Sequence, residues 1–312
     1  MSPSAAKERD QAPPNPLERF TSGGWVKGML RLAVGLALVG VVVWFTGAGS
    51  LTLLLDPQVA FWLVVGAAVQ IGLRVCRILK WSRIIEPAGL VPRPWTYLLR
   101  IQLIGMLGNV LLPMSEPLKV WAVAANRRQV LWASESIVIE TTVHACLVGV
   151  AGCLGLLLTG WTAPAPVWWA AGGMAAIPVV LIAGLRWWPR RQRPAFHIVD
   201  LRVIGWAAGE TACQLAVYAL AVRAIGVDIQ LGQLLALGPL LFVTDVAMVT
   251  PSGLGVREAV YAVVLQSLSG APPEAAVAVG LLVSTMLMVA AIVGGGVALA
   301  LPRPSSAAPN AE

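Results

Sequence analysis

The sequence predicts an all-α membrane protein: about six full transmembrane helices plus two re-entrant helical hairpins, arranged as an inverted repeat. Three observations carry this expectation. The 312 residues are 58% hydrophobic and only 12% charged, with a mean hydropathy of +0.79, outside the range of ordinary soluble domains. Apolar runs of about 20 residues, long enough to span a hydrocarbon core, recur along the chain. Two of the runs break at a proline, Pro113 and Pro251, with ionisable residues just beyond.

The segment 1–28 is polar, mixed in charge and rich in Pro, Ser and Ala, and reads as a disordered cytoplasmic tail rather than a signal peptide. A single integral membrane domain follows over 29–302, and 303–312 forms a second cytoplasmic tail. The first span covers 32–47, and the connection 48–57 has no Lys or Arg, which places it outside. The second span covers 59–78 and leads into a basic stretch with Arg74, Arg77, Lys80, Arg83, Arg93 and Arg100, which is read as inside.

The run 98–112 stops at Pro113. If it crossed the membrane, Lys119, Arg127 and Arg128 would lie outside, and so would the basic connection from Arg186 to Arg202. The conflict disappears if residues 97–130 enter from the cytoplasm and return to it. Irregular backbone at that depth is tolerated where protein buries it or where it lines a cavity. Spans at 136–160, 167–185 and 201–222 follow, then a run 231–250 that ends at Pro251 and a half-length run 259–268, read as a second hairpin entering from outside. The last span covers 275–301. All 22 Lys and Arg except Arg223 and Arg257 are then cytoplasmic or at the cytoplasmic interface. A plain bundle of eight or nine spans is the alternative.

Each half, 29–162 and 163–302, then contains three crossings and one hairpin, so the second half is inverted relative to the first. Transporters use this arrangement with the site between the halves. The stretches "NVLLPMSEPLKVWAV" and "MVTPSGLGVREAVYAV" echo each other. The expected location is the cell membrane, multi-pass, with both termini cytoplasmic.

The composition also bounds function. A net charge of +7 follows from basic cytoplasmic connections, so no nucleic-acid partner is implied. Cys76, Cys146, Cys153 and Cys213 form no CxxC pair and are read as reduced core residues. Catalytic triads, Walker loops and dinucleotide fingerprints are absent, so no enzyme, cofactor or metal site is expected. Glycines at 149, 152 and 155 and at 294–296 read as close helix packing.

Ionisable residues at membrane depth cost about 2.5–3.5 kcal/mol each on insertion scales, and they mark function or a partner. Glu116, Glu140, His144, Glu210, Asp245, Arg257 and Glu258 are the candidates, with Asn109, Gln102 and Gln214 as neutral polar groups. Ser252 or Gly253 would cap the half-helix that carries Arg257 and Glu258, and Gly253 and Gly255 would allow the tight turn before it. Its N-terminus and the Arg257 fork suit a phosphate. Alternatively, Arg257 neutralises Asp245 or Glu258. Glu116 is expected to cap at the interface or to meet a substrate amine or Arg257. Glu140 and His144, spaced i, i+4, form a hydrogen-bonded or proton-coupled pair rather than a metal site. Glu210 and Gln214 share a face in the same way and line a polar cavity.

Pro251, Gly253, Gly255, Arg257 and Glu258 form a pattern of apolar run, Pro, Gly-x-Gly-x-Arg-Glu. This resembles the membrane region of lysylphosphatidylglycerol synthase/flippase proteins and of stand-alone flippase-like membrane proteins, over about residues 30–300. Asn109, Pro113 and Glu116 match that family's first-half signature, and Ser115 stands where the family usually has glycine. The resemblance implies a lipid-translocating domain with two re-entrant hairpins. Bifunctional members carry a soluble synthase domain after the membrane region. The chain stops at Glu312, so aminoacyl transfer is not expected.

The leading expectation is a translocase of an anionic or amino-modified phospholipid or a polyprenyl-linked lipid, with membrane lipids as partners. A secondary transporter of a small anion is the second reading. The third is a non-transporting membrane partner of a lipid or cell-envelope biosynthetic enzyme. The sequence does not set the oligomeric state.

Overall fold

The computed structural model describes residues 33, 37, 40, 44, 49–88, 90, 93–109, 115–160, 165–187, 200–247 and 255–300. All regular structure among the described residues is helical. The helices are α1 (Gly49–Leu54), α2 (Pro57–Ile85), α3 (Trp95–Gly108), α4 (Ser115–Val123), α5 (Arg127–Leu158), α6 (Ala165–Trp187), α7 (Leu201–Ile225), α8 (Leu231–Ala247), α9 (Val256–Ser269) and α10 (Pro273–Ala300). Residues 33, 37, 40 and 44 are helical as well, and all four are exposed, as one helical face at that spacing would be.

Local chemistry sets the helix ends. Asp56 caps α2 by accepting from the Gln58 N–H at 2.8 Å, and Pro57 occupies the first turn. Asn126 caps α5 through the Gln129 N–H at 2.9 Å, and Asp200 caps α7 through the Arg202 N–H at 2.9 Å. Gly226 closes α7 at φ 76° and Gly270 closes α9 at φ 68°, in the left-handed conformation that glycine adopts without a Cβ clash.

Among the described residues, three helical segments are long and apolar enough to cross a membrane: Pro57–Ala88, Arg127–Leu158 and Pro273–Ala300. Large apolar side chains cover the outside, among them Phe61, Val64, Leu154, Trp169, Ile292 and Val297. Charged side chains sit inside, Lys80, Lys119, Glu140 and Glu258 with no exposed surface. A soluble protein has the opposite arrangement; in a bilayer the hydrocarbon solvates the apolar exterior. This is a membrane protein.

Helix α2 packs on α7, α3 on α10, α8 on α5, and the short helices pack on each other and on the long helix that follows them. Ile84, at the end of α2, clusters with Val203 at the start of α7. Val59, at the start of α2, shares a core with Val217 and Val222 near the end of α7. The two helices therefore run antiparallel. Glycines permit the tightest crossings: a methyl on Gly155 would lie 2.4 Å from the Ala236 backbone nitrogen, and one on Gly152 would lie 2.2 Å from Pro239. Gly149, Gly294 and Gly295 are likewise at close approaches, but Gly296 meets nothing within 4 Å, which corrects its expected packing role.

The basic stretch after the second span is not a loop. α2 continues to Ile85, and Arg74, Arg77, Lys80 and Arg83 lie on its body. Pro113 and Pro251, the expected breaks, lie outside the described residues, as do the two tails and Ser252 and Gly253.

A buried ion network as the candidate functional site

Four helices bring ionisable side chains to one place. α2 supplies Arg77 and Lys80, α4 supplies Glu116 and Lys119, α5 supplies Glu140 and His144, and α7 supplies Glu210. Arg77 and Lys80 are three residues apart, as are Glu116 and Lys119, and Glu140 and His144 are four apart. Each pair shares one helical face.

Glu140 is the hub. It accepts from Arg77 Nε at 2.7 Å and from Lys119 Nζ at 2.7 Å, and Lys80 Nζ lies 3.7 Å away. The Lys80 ammonium also donates to the Glu140 backbone carbonyl at 3.2 Å and to the Glu210 carboxylate. Glu210 in turn meets His144 Nδ1 at 3.1 Å and Arg77 Nε at 4.0 Å. Glu116 lies 3.2 Å from Arg77 and 2.9 Å from Lys119. Three cations thus meet three carboxylates, and Arg74, one helical turn before Arg77, interacts electrostatically with Glu116. A buried charge needs this degree of pairing, because removing each ion from water costs several kcal/mol.

The network has a sealed side and an open side. The side chains of Lys80 and Lys119 have no exposed surface, and those of Glu140 and Glu210 almost none, whereas Arg77 is 19% and Glu116 30% exposed. Trp81 closes the sealed side, its ring 5.0 Å from the Lys119 ammonium and its N–H bonded to Ser136 Oγ at 2.9 Å. His144 packs edge-on against the Phe242 ring at 5.1 Å, and its Nε2 is buried with no hydrogen-bond partner among the described residues.

Asn109 clasps the two short helices beside this network. Its amide donates to Ser115 Oγ at 2.9 Å and its carbonyl accepts from the Ser115 N–H at 3.0 Å. Gly105 allows the approach, since a methyl there would lie 2.5 Å from Ser115 Cα. Glu116 follows in the first turn of α4, where the helix dipole favours a carboxylate.

Arg257 and Glu258 form a separate, smaller constellation. Gly255, at φ 82°, is the N-cap of α9, and its N–H donates to the Glu258 carboxylate at 2.5 Å. The N-cap position belongs to Gly255, which corrects the expected cap at Ser252 or Gly253. Ser284 of α10 joins the pair, accepting from Arg257 at 3.3 Å and donating to Glu258 at 2.7 Å. Of Asp245 only its place in α8 is described, so an Arg257–Asp245 pair lies outside the described residues.

Several expected pairings are replaced. Glu116 meets Arg77 and Lys119 rather than Arg257. Glu140 and His144 do not bond each other, because each faces a different partner across a helix interface. Gln214 donates to Tyr218 Oη at 2.8 Å. Arg77, Lys80 and Lys119 were expected among cytoplasmic basic residues, and they are the cations of the site.

Among the described residues no group of three or more His, Cys, Asp or Glu side chains could hold a metal ion. What the geometry defines is a helical membrane protein with a charge-balanced ion cluster that opens at one edge. The chain matches the family described as Lysylphosphatidylglycerol synthase TM region over residues 29–295, and it belongs to that family. No curated protein and no solved structure matches it.

Proposed function

We propose that the protein is a flippase-like lipid transporter of the cell membrane, not an enzyme, and that the α2/α4/α5/α7 ion network receives the lipid headgroup. The observation that carries this reading is the open edge of the network. Arg77 and Glu116 are its two partly exposed members, and they form an ion pair of 3.2 Å. A headgroup phosphate entering there exchanges that pair for its own contact with Arg77, whose planar fork suits it. A headgroup amine, where present, takes Glu116. The acyl tails stay in the hydrocarbon against the apolar exterior. The family supports a role in lipid metabolism or translocation.

Two inverted halves accommodate such a passage between them. In support of that arrangement, one long helix, two short ones and another long one follow in order as α2–α5 and again as α7–α10. The packing partners exchange accordingly, α3 on α10 and α8 on α5, and the corresponding helices α2 and α7 are antiparallel. In this reading α3–α4 and α8–α9 are the re-entrant hairpins, the chain is multi-pass, and both termini are cytoplasmic.

The test uses purified protein in liposomes containing a headgroup-labelled anionic phospholipid, with leaflet exchange followed by a membrane-impermeant quencher. Exchange faster than in empty vesicles, and slowed in Arg77→Gln, is the expected result. Exchange at the empty-vesicle rate, with uptake of a soluble anion instead, would replace this reading by that of a small-anion carrier.

A further inference from the structure

The interface between α2 and α7 contains a feature that the ion network does not use. Each helix carries a Gly-x-x-x-Cys motif, Gly72 with Cys76 and Gly209 with Cys213. The motifs face each other reciprocally. A methyl on Gly209 would lie 3.2 Å from Cys76 Sγ, and one on Gly72 would lie 4.0 Å from Cys213 Sγ. Each cysteine thus packs against the glycine of the opposite helix, and both thiols lie in the same α2–α7 crossing. Both are free and half-buried. Glycine brings the backbones close enough for side chains to meet across the crossing, and a disulfide needs Cα atoms within about 7 Å. The other two cysteines, Cys146 and Cys153, both lie on α5 and have no such counterpart among the described residues.

We propose that Cys76 and Cys213 are a modification site, a dithiol that a small membrane-permeant peroxide closes to a disulfide, and that this bond locks α2 to α7. One sulfur attacks a peroxide oxygen, breaking the O–O bond and forming a sulfenic acid with release of one water. The second thiol displaces the hydroxyl as a further water and forms the S–S bond. The two sulfurs lose two electrons in all, and the peroxide is reduced to two waters. The bond lies next to Arg77 and one turn from Glu210, across the helix pair that carries the Lys80–Glu210 contact. If headgroups pass by separation of the network, as the proposed function holds, a covalent tie here stops them.

The test exposes purified full-length protein in liposomes to hydrogen peroxide, blocks free thiols with N-ethylmaleimide, and analyses the unreduced digest by mass spectrometry. The expected product is a peptide pair joined through Cys76 and Cys213, two hydrogens lighter than the sum, absent in Cys76→Ser and in Cys213→Ser. Both cysteines alkylated after peroxide, or a link from either to Cys146 or Cys153, overturns the site. In the same vesicles, lipid exchange should fall to the empty-vesicle rate with peroxide, recover with dithiothreitol, and resist peroxide in Cys76→Ser. Exchange that continues in fully cross-linked protein overturns the lock. If the reduced protein moves no lipid, the transport reading fails, and the cross-linked mass alone decides the modification site.

Discussion

Truncating Lys80 gives the sharpest energetic prediction. The Lys80 ammonium is wholly buried, and it is the direct hydrogen-bond donor to Glu210 from α2. In Lys80→Met, Glu140 keeps Arg77 and Lys119, each at 2.7 Å. Glu210 keeps only His144 at 3.1 Å and Arg77 at 4.0 Å. Breaking a buried pair from one side costs about 3–5 kcal/mol, because it strands a desolvated charge. At about 2–4 °C per kcal/mol for a domain of 150–250 residues, the thermal midpoint falls by about 6–20 °C. Glu210→Met costs toward the lower end, about 3 kcal/mol, because Lys80 retains the Glu140 carbonyl at 3.2 Å and its carboxylate at 3.7 Å. Removing both charges together leaves no stranded ion, and apolar replacement of a whole buried pair is often neutral. The double variant therefore regains most of the loss: against a sum of about 6–8 kcal/mol for the two single variants it costs about 1–2, a coupling energy of about 5–6 kcal/mol. The assay is tryptophan fluorescence during thermal unfolding in detergent micelles, with Trp81 inside the cluster as a native reporter. Single losses below about 1 kcal/mol, or strictly additive ones, would refute the reasoning.

Other interactions yield smaller, separable effects. Asn109→Ala removes both hydrogen bonds of the clasp between α3 and α4. It costs about 1–3 kcal/mol in the same unfolding assay, whereas Ser115→Ala, which keeps the N–H contact, costs about half as much. Gly155→Ala destabilises by about 1–3 kcal/mol through its clash with the Ala236 backbone. Gly172→Ala, with nothing within 4 Å, stays within about 0.5 kcal/mol of the parent in the same unfolding assay. Ser284→Ala deletes the hydroxyl between Arg257 and Glu258. It lowers stability by about 1–3 kcal/mol, an effect that a Glu258→Gln background reduces.

The fold was legible where backbone chemistry has a short-range signature. Apolar run lengths placed the long helices, and Gly149, Gly152 and Gly155 marked the seam of α5 with its neighbours. Glu258 is recognisable as a first-turn carboxylate, but residue preference points to a cap too early in the chain, because Ser252 is the stronger capping residue, whereas Gly255 carries the positive-φ turn. The site was only half legible. Its carboxylates and His144 stood out as charges at membrane depth. Its cations did not, because a count of positive charges by side treats each Lys and Arg as an interfacial residue and is blind to helix faces. The available signal was spacing: Arg74, Arg77 and Lys80 recur every three residues along one α2 face, and Glu116 and Lys119 are likewise three apart. Partner choice was not legible, since the contacts between Glu140 and Arg77, and between His144 and Glu210, join residues more than 60 positions apart.

The central claim is that the ion network is a headgroup passage rather than a brace, and the Lys80→Met/Glu210→Met double variant separates the two roles. It strands no buried ion and so retains the fold, yet it lacks the charge pair between α2 and α7. Leaflet exchange of a headgroup-labelled anionic phospholipid, measured in liposomes on this double variant with folding verified by its thermal midpoint, is the decisive measurement. A stably folded protein that exchanges lipid no faster than empty vesicles, beside an active parent, is the predicted result. A stably folded double variant that exchanges lipid at the parent rate would contradict the account.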